Sequence, residues 1–274
     1  MVHAIRRRPA VAGQFYPDEP EELRRAVESY LGNAPVEPAP DRVTTVVSPH
    51  AGYIYSGPTA GYAFARVRGK QPGRVVLLGS SHRYRIDTAS VFTSGAFETP
   101  LGTFPIDEPF ARQLANLTGS LSEEPHMQEH ALEVQLPFLA QAVGTVPIVP
   151  VLFGSPASEW HAALGETLAQ LLDPTDLVVA STDLSHYLDE SSANAIDRHS
   201  IDAVLSRNWK SFAEGIRDKS CSMCGAAAVT AAMAFAAARR ADEWRLLDYR
   251  TSGAASGDFR RVVGYAAITM ECAA

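Results

Sequence analysis

The sequence predicts an α/β fold, a mostly parallel central sheet with helices on both faces, and three observations carry that expectation. First, four short apolar runs at residues 43–47, 74–78, 148–153 and 177–180 have strand length and little polar alternation, the pattern of strands covered on both sides. Second, stretches with helical periodicity separate them, which is how parallel strands are connected. Third, 46% hydrophobic and 20% charged residues over 274 positions give a chain able to bury a large core.

The elements follow in order. Residues 19–31 read as a helix, with Asp18 and Glu21 suited to a capping box and Gly32 to the position after the last turn. Pro35, Pro38 and Pro40 mark a linker before the first buried strand, 43–47. A helix is expected at 59–67, a strand at 74–78 and another at 89–93. The Pro/Gly punctuation of 98–107 fits an irregular hairpin. Helices are expected at 108–117 and 129–143, a strand at 148–153, an amphipathic helix at 158–172 and a strand at 177–180. Helices at 192–205 and 225–240 and strands at 244–249 and 262–270 complete the chain. No repeat or low-complexity stretch is present, and no break divides residues 1–274, so a single domain is expected.

Charge and cysteine usage exclude several classes. With 24 basic and 31 acidic side chains the net charge is −7, which gives no general attraction to nucleic acid or anionic membrane. The basic run Arg6, Arg7, Arg8 precedes Pro9 and reads as a solvated terminal arm. Three cysteines do not make a disulfide framework, and no secretory signal is visible, so a cytoplasmic location is expected. The most apolar stretch, residues 226–238, is too short to span a bilayer and reads as a buried helix.

The polar chemistry recurs at strand ends. Val46-Val-Ser-Pro-His50, Leu77-Leu-Gly-Ser-Ser-His82 and Val178-Val-Ala-Ser-Thr-Asp183-Leu-Ser-His186 each run from an apolar strand into a histidine. Ligands of open parallel sheets bind beyond the carboxyl ends of the strands. One such histidine is ordinarily a loop residue bonded to backbone; three at one rim point to a metal suited to imidazole.

Glu129-His-Ala-Leu-Glu133 places Glu129 four residues before Glu133, and His126 four before His130, one helix face for each pair. This is not the H-E-x-x-H string of zinc proteases. Its readings are a polar helix terminus or a group that orients a metal ligand. Cys221-Ser-Met-Cys224 lacks the second pair of a four-cysteine zinc site, but Cys224 precedes the Ala-rich helix, where a helix N-terminus favours thiolate. The other reading of Cys224 is a small buried hydrophobe. His3, His161 and His199 have no visible company and are assigned to surface or packing, and Cys272 is incidental. Residues 251–258 form a small-residue loop that lines a pocket or simply turns the chain; a nucleotide site is not expected there.

With these residues in view, the chain resembles the Memo family nearly end to end. The resemblance rests on Arg8-Pro-Ala-Val-Ala-Gly-Gln-Phe-Tyr-Pro17, Pro49-His-Ala-Gly-Tyr-Ile-Tyr-Ser-Gly57, Gly79-Ser-Ser-His82, Thr99-Pro-Leu-Gly102 and Glu129-His-Ala-Leu-Glu-Val-Gln-Leu-Pro137. It extends through Ser181-Thr-Asp-Leu-Ser-His186, Met223-Cys-Gly225 and residues 252–265. It implies a fold similar to class III extradiol dioxygenases, non-haem iron enzymes in which two His and a Glu hold Fe(II), with a Cys replacing the carboxylate in Memo-like proteins. Carried over by motif, it implies His50, His82 and Cys224 as metal ligands, with Asp183, His186 and His130 lining the same pocket. Cys221 is an additional thiol that could form a disulfide with Cys224.

Two imidazoles and a thiolate with open positions suit Fe(II), copper or zinc, and the resemblance leans toward iron or copper. The first functional expectation is a metal-dependent oxidoreductase acting on a small aromatic or hydroxylated substrate, with His186 as general acid/base and Asp183 orienting it or holding substrate. The second is a non-catalytic metal- or peptide-binding adaptor or copper-handling protein. The third is a zinc hydrolase with Glu129 or His186 as base. Prokaryotic Memo-like proteins resemble one member of a three-part set, which implies AMMECR-type and radical SAM proteins as partners.

Overall fold

The computed structural model describes residues 5–120, 122–154 and 156–273. His3 lies outside them. The chain opens with β1 (Arg6–Arg7), α1 (Pro20–Gly32), β2 (Val43–Ser48), α2 (Tyr53–Arg66) and β3 (Val75–Ser80). Next come β4 (Ala89–Val91), β5 (Ala96–Thr99), β6 (Gly102–Pro105) and α3 (Glu108–Thr118). Two 3-10 turns, Glu124–His126 and Glu133–Gln135, lead into α4 (Leu136–Ala142). The second half runs β7 (Ile148–Phe153), α5 (Glu159–Leu171), β8 (Leu177–Ser181), β9 (His186–Leu188), α6 (Glu190–Leu205), α7 (Trp209–Asp218) and α8 (Ala226–Ala238). It closes with β10 (Glu243–Thr251), α9 (Gly253–Ser256) and β11 (Val262–Glu271).

Together these form the expected α/β fold, with a mixed rather than wholly parallel sheet. The order is β10-β11-β2-β8-β3-β7-β4, with β9 also paired to β11. The four central strands β2, β8, β3 and β7 are mutually parallel. The flanking pairs β10–β11, β11–β2 and β4–β7 are antiparallel. The predicted hairpin at 98–107 is present as β5–β6, and β1 completes this separate three-stranded sheet.

Every residue of β2, β7 and β8 is buried, so both faces of the sheet centre are covered. On one side α2 packs against β2, β10 and β11 together with α1 and α4; α8 lies across β2, β3, β7 and β8, backed by α5 and α7. Each Val or Leu fully withdrawn from water in these layers contributes about 1.5–3 kcal/mol. The α5–α8 crossing is unusually close: a Cβ on Gly165 would fall 2.0 Å from the Ala231 carbonyl oxygen.

Several local expectations are corrected. Helix α1 is capped by the Glu19 carboxylate, which accepts from the Glu21 and Glu22 N–H groups, rather than by an Asp18–Glu21 box, and Gly32 is its last residue. Helix α2 begins six residues before Thr59 and contains Pro58. Tertiary bonds hold its first turn, since Tyr53 N–H donates to the Phe15 carbonyl at 2.7 Å and Tyr53 Oη to the Val134 carbonyl at 2.7 Å. Residues 129–143 are not one helix. Glu129 folds its carboxylate back onto the N–H groups of His130 and Ala131, at 2.9 and 3.0 Å, which diverts the backbone from helical bonding. Helix α7 was not anticipated, although Asn208 caps it and Trp209, Phe212, Ala213 and Ile216 repeat at helical spacing.

In the basic run Arg6 and Arg8 are exposed, as a solvated arm requires, but Arg7 is not. Arg7 is fully buried and pairs with the equally buried Glu133. It also donates to the carbonyls of Glu129 at 2.6 Å and His126 at 3.1 Å. Glu133 accepts from the N–H groups of Ala10 and Val11 and from Tyr16 Oη at 2.8, 3.0 and 2.6 Å, which satisfies the rest of its lone pairs. The N-terminal segment is thereby bolted to the 126–133 turn.

Candidate metal centre

Parallel strands deliver their carboxyl ends to one rim. β2 ends two residues before His50, β3 two before His82, and β8 two before Asp183. Cys224 arrives from the opposite direction at the start of α8. Gly225 allows it to come close, because a Cβ there would lie 2.4 Å from the Ser181 carbonyl oxygen.

Donor atoms of His50, His82 and Cys224 lie within 4.8 Å of one another, a spacing that one metal ion can bridge. A second group within the same limit, His82, Glu129 and His130, shares His82. The three rings stand around a common space, with centroid separations of 5.1 Å for His50–His82, 5.4 Å for His50–His130 and 4.8 Å for His82–His130.

The ring nitrogens can be assigned from their partners. Ser181 Oγ donates its one proton to the Ala131 carbonyl at 2.6 Å and accepts from Gln135 Nε2 at 2.9 Å. It therefore accepts from His50 Nδ1 at 2.8 Å, which leaves the His50 lone pair on Nε2, 3.2 Å from Cys224 Sγ. Burial, followed by the neighbouring His82 and His130, holds His50 well below the usual imidazole range, so it is neutral and fit to ligate. His82 Nδ1 donates to Glu129 Oε1 at 3.0 Å and its backbone N–H to Glu129 Oε2 at 2.6 Å. That bond to Glu129 raises the His82 pKa and turns Nε2 toward the shared space. Glu129 thus takes the orienting role, one of the two readings of its motif.

Cys224 Sγ accepts from Asp183 N–H at 3.2 Å and sits 3.8 Å from Thr182 Oγ1. The expected helix-terminus effect does not prevail here. Burial and the Asp183 carboxylate push the thiol up to about 12, so a positive charge in the site is required to favour thiolate. Cys221 is a free, buried thiol packed at Gly215 on α7, and Cys224 is also free. Asp183 Oδ1 accepts from His50 N–H at 2.8 Å, and burial raises its carboxyl above the usual range.

A cleft of about 560 Å³ opens beside the cluster, lined by His130, Asp183, His186, Phe15, Tyr55 and Tyr265 among others. All three residues expected to line the pocket therefore reach it. His186 is not oriented by Asp183 as expected, since its Nδ1 donates to the Leu184 carbonyl at 2.9 Å. The 251–258 loop also contributes, through Ser252, Ser256 and Asp258. Two other histidines are structural: His126 bonds the Ser90 carbonyl through Nε2 at 3.0 Å, and His161 Nδ1 lies 2.9 Å from Ser158 Oγ. Sequence reasoning missed Arg7, Ser181 and Gln135, whose roles depend on burial and on partners remote in the chain.

Fold and site define the class: an α/β protein with a His/His/Cys donor cluster at the carboxyl ends of its parallel strands. The chain belongs to the Memo family, matching Memo-like protein over residues 7–269. It is 37% identical over 278 residues to a MEMO1 family protein of Methanopyrus kandleri, covering 96% of this chain and 98% of that one. A MEMO1 family protein of Methanothermobacter thermautotrophicus is 36% identical over 272 residues, with 95% and 98% covered. The crystal structure of an uncharacterized protein from Escherichia coli K12 aligns with a TM-score of 0.42 and 12% identity over 72% of this chain and 86% of that chain. Among the described residues no helix is long and apolar enough to cross a membrane.

Proposed function

We propose that the protein holds one metal ion through His50, His82 and Cys224 and acts as a non-haem metal-dependent oxidoreductase on a small aromatic or hydroxylated substrate. The observation that carries this reading is the donor set. Two imidazoles each have one nitrogen committed to a protein acceptor, and their ligating atoms lie within 4.8 Å of each other and of a thiol sulfur. A bound redox metal such as Fe(II) or copper supplies electron transfer and Lewis acidity at this point.

The chain's own groups divide the remaining work. Cys224 gives up its proton only when a cation compensates burial and the Asp183 charge, so metal affinity rises with pH. Asp183, its carboxyl raised by burial, is suited to hold a proton at the cleft floor. The bond from His186 Nδ1 to Leu184 places the neutral ring's lone pair on Nε2, the atom available to take a proton from a substrate hydroxyl. Phe15, Tyr55 and Tyr265 line the same cleft and offer apolar surface to an aromatic ring.

The test is metal analysis of protein purified without oxygen, alongside His50→Ala, His82→Ala and Cys224→Ser, followed by O2 uptake with catechols. The expected result is one metal ion per chain, lost in each variant, with uptake that follows metal content. Full metal content in the variants overturns the ligand assignment. Tight metal binding with no turnover of any phenol supports instead the non-catalytic metal- or peptide-binding adaptor or copper-handling reading. Association with AMMECR-type and radical SAM proteins belongs to the same proposal and is tested by co-purification.

A further inference from the structure

Among the described residues, one cation that lines the cleft has no counter-charge. Arg261 lines the cleft with Asp183, His186 and Tyr187, and among the described residues no carboxylate lies within ion-pair distance of it. Its neighbours differ. Arg260 is held by Asp258, with Nε and Nη2 at 3.0 and 2.8 Å, and Arg250 by Asp248, with Nε at 2.8 Å. Asp258, the other acidic residue at this end of the cleft, is thus already committed.

Arg261 is nonetheless positioned. Its guanidinium lies 5.2 Å from the centroid of the Tyr187 ring. Stacking of this kind fixes the plane of the guanidinium without consuming its N–H donors, which stay available to a ligand. Tyr187 itself has φ of 62°, the left-handed region that a bulky residue rarely adopts. Backbone in that conformation is strained and is typically retained at ligand-holding positions. It is supported by the β9–β11 pairing, where His186 and Leu188 sit opposite Val263 and Val262, the residues directly after Arg261. Ile54 and Tyr187, 69% and 63% exposed, present apolar surface at the same mouth.

We infer that Arg261, stacked on Tyr187, is a specificity-determining residue that binds the carboxylate of the cleft's ligand, an organic acid whose apolar or aromatic body lies along Ile54, Tyr55 and Tyr265. One uncommitted cation beside buried Asp183 and paired Asp258 suits a monoanion better than a dianionic phosphate. This inference rests on the cleft being the substrate site, but does not require the metal.

The test is calorimetric binding of 3,4-dihydroxybenzoate, catechol and phenyl phosphate to the full chain, as purified and after metal removal. Expected is at least a tenfold preference for 3,4-dihydroxybenzoate over catechol, weakened by salt. The preference disappears in Arg261→Ala and is partly retained in Arg261→Lys, with metal content and thermal midpoint unchanged. Absence of carboxylate binding, equal binding of the two phenols, or an undiminished preference in Arg261→Ala overturns the inference. Tighter binding of phenyl phosphate overturns the choice of a monoanion. Failure of the oxidoreductase reading shows separately, as absent metal or absent O2 uptake, while the carboxylate preference persists.

Discussion

Glu129 and Asp183 are buried carboxylates of the same site, on either side of His50, and their surroundings drive them in opposite directions. Burial pushes Glu129 up, but bonds from His130 and His82 outweigh it and hold its carboxyl well below the usual range. Four N–H groups, from His82 backbone, His82 Nδ1, His130 and Ala131, converge on it. Asp183 receives the single N–H of His50 at 2.8 Å, and burial raises its carboxyl. The number of N–H donors, rather than depth alone, decides which carboxylate is a permanent anion and which one can carry a proton. The first is suited to orienting a ligand, the second to chemistry. The two sides are also anchored differently, because only the Glu129 side is tied down by the buried Arg7–Glu133 pair.

Breaking that anchor has the largest expected effect. Arg7→Met leaves Glu133 charged and unpaired in the core, at a cost of about 3–5 kcal/mol. Urea unfolding measures it, and Arg7→Met with Glu133→Leu should recover much of the loss. A cost below about 1 kcal/mol would mean that the pair does not anchor the turn.

Glu129→Gln places an amide NH2 among the N–H donors and releases His82, so metal affinity should fall about 10–100-fold. Competition with a chelator measures this. An unchanged affinity would show that His82 is held by something other than Glu129.

Acid should weaken the Glu129 side through His126, which burial holds at about 3. The folded-state value is depressed, and the unfolded imidazole titrates near about 6.5. Below that pH the unfolded chain binds a proton that the folded chain refuses. Stability is therefore full above about 6.5 and lost as pH falls, by about 2 kcal/mol at pH 5 for this group. Urea midpoints at pH 7 and pH 5 check it, and His126→Leu should flatten the difference. An identical pH response in that variant would assign the effect elsewhere.

The smallest effects belong to the Asp183 side. Asp183→Asn keeps an oxygen to accept from His50 N–H, so stability should change by about 1 kcal/mol or less. Removing the charge should lower the Cys224 thiol from about 12, read by a thiolate absorbance titration against Cys224→Ser. Cys221→Ala should leave metal content intact, since its sulfur packs at Gly215 on α7; lost metal would make Cys221 part of the centre.

Much of this was legible before the structure. Buried strands announce themselves as unbroken apolar runs, and a histidine placed just after such a run must emerge at the strand's carboxyl end. His50 and His82 were visible for that reason, and Cys224 from its place before an apolar helix, with its role as ligand implied by the family resemblance. Residues 129–143 were misread because Glu129 and Glu133 have helical spacing but spend their carboxylates on partners that no local pattern reveals. Arg7 was misread for the same reason, and α7 was overlooked although its pattern was present.

The sequence alone determined the layered architecture, the Memo resemblance and the residue types at the rim, because local periodicity and strand-end position are properties of neighbouring residues. Tertiary structure decided the opposite pKa shifts of Glu129 and Asp183, the tautomer of His50, the thiol's reluctance to ionise and, among the described residues, the lack of a carboxylate partner for Arg261. Each of those depends on which N–H groups, charges and burial meet at one point, and that meeting exists only once distant segments have packed together.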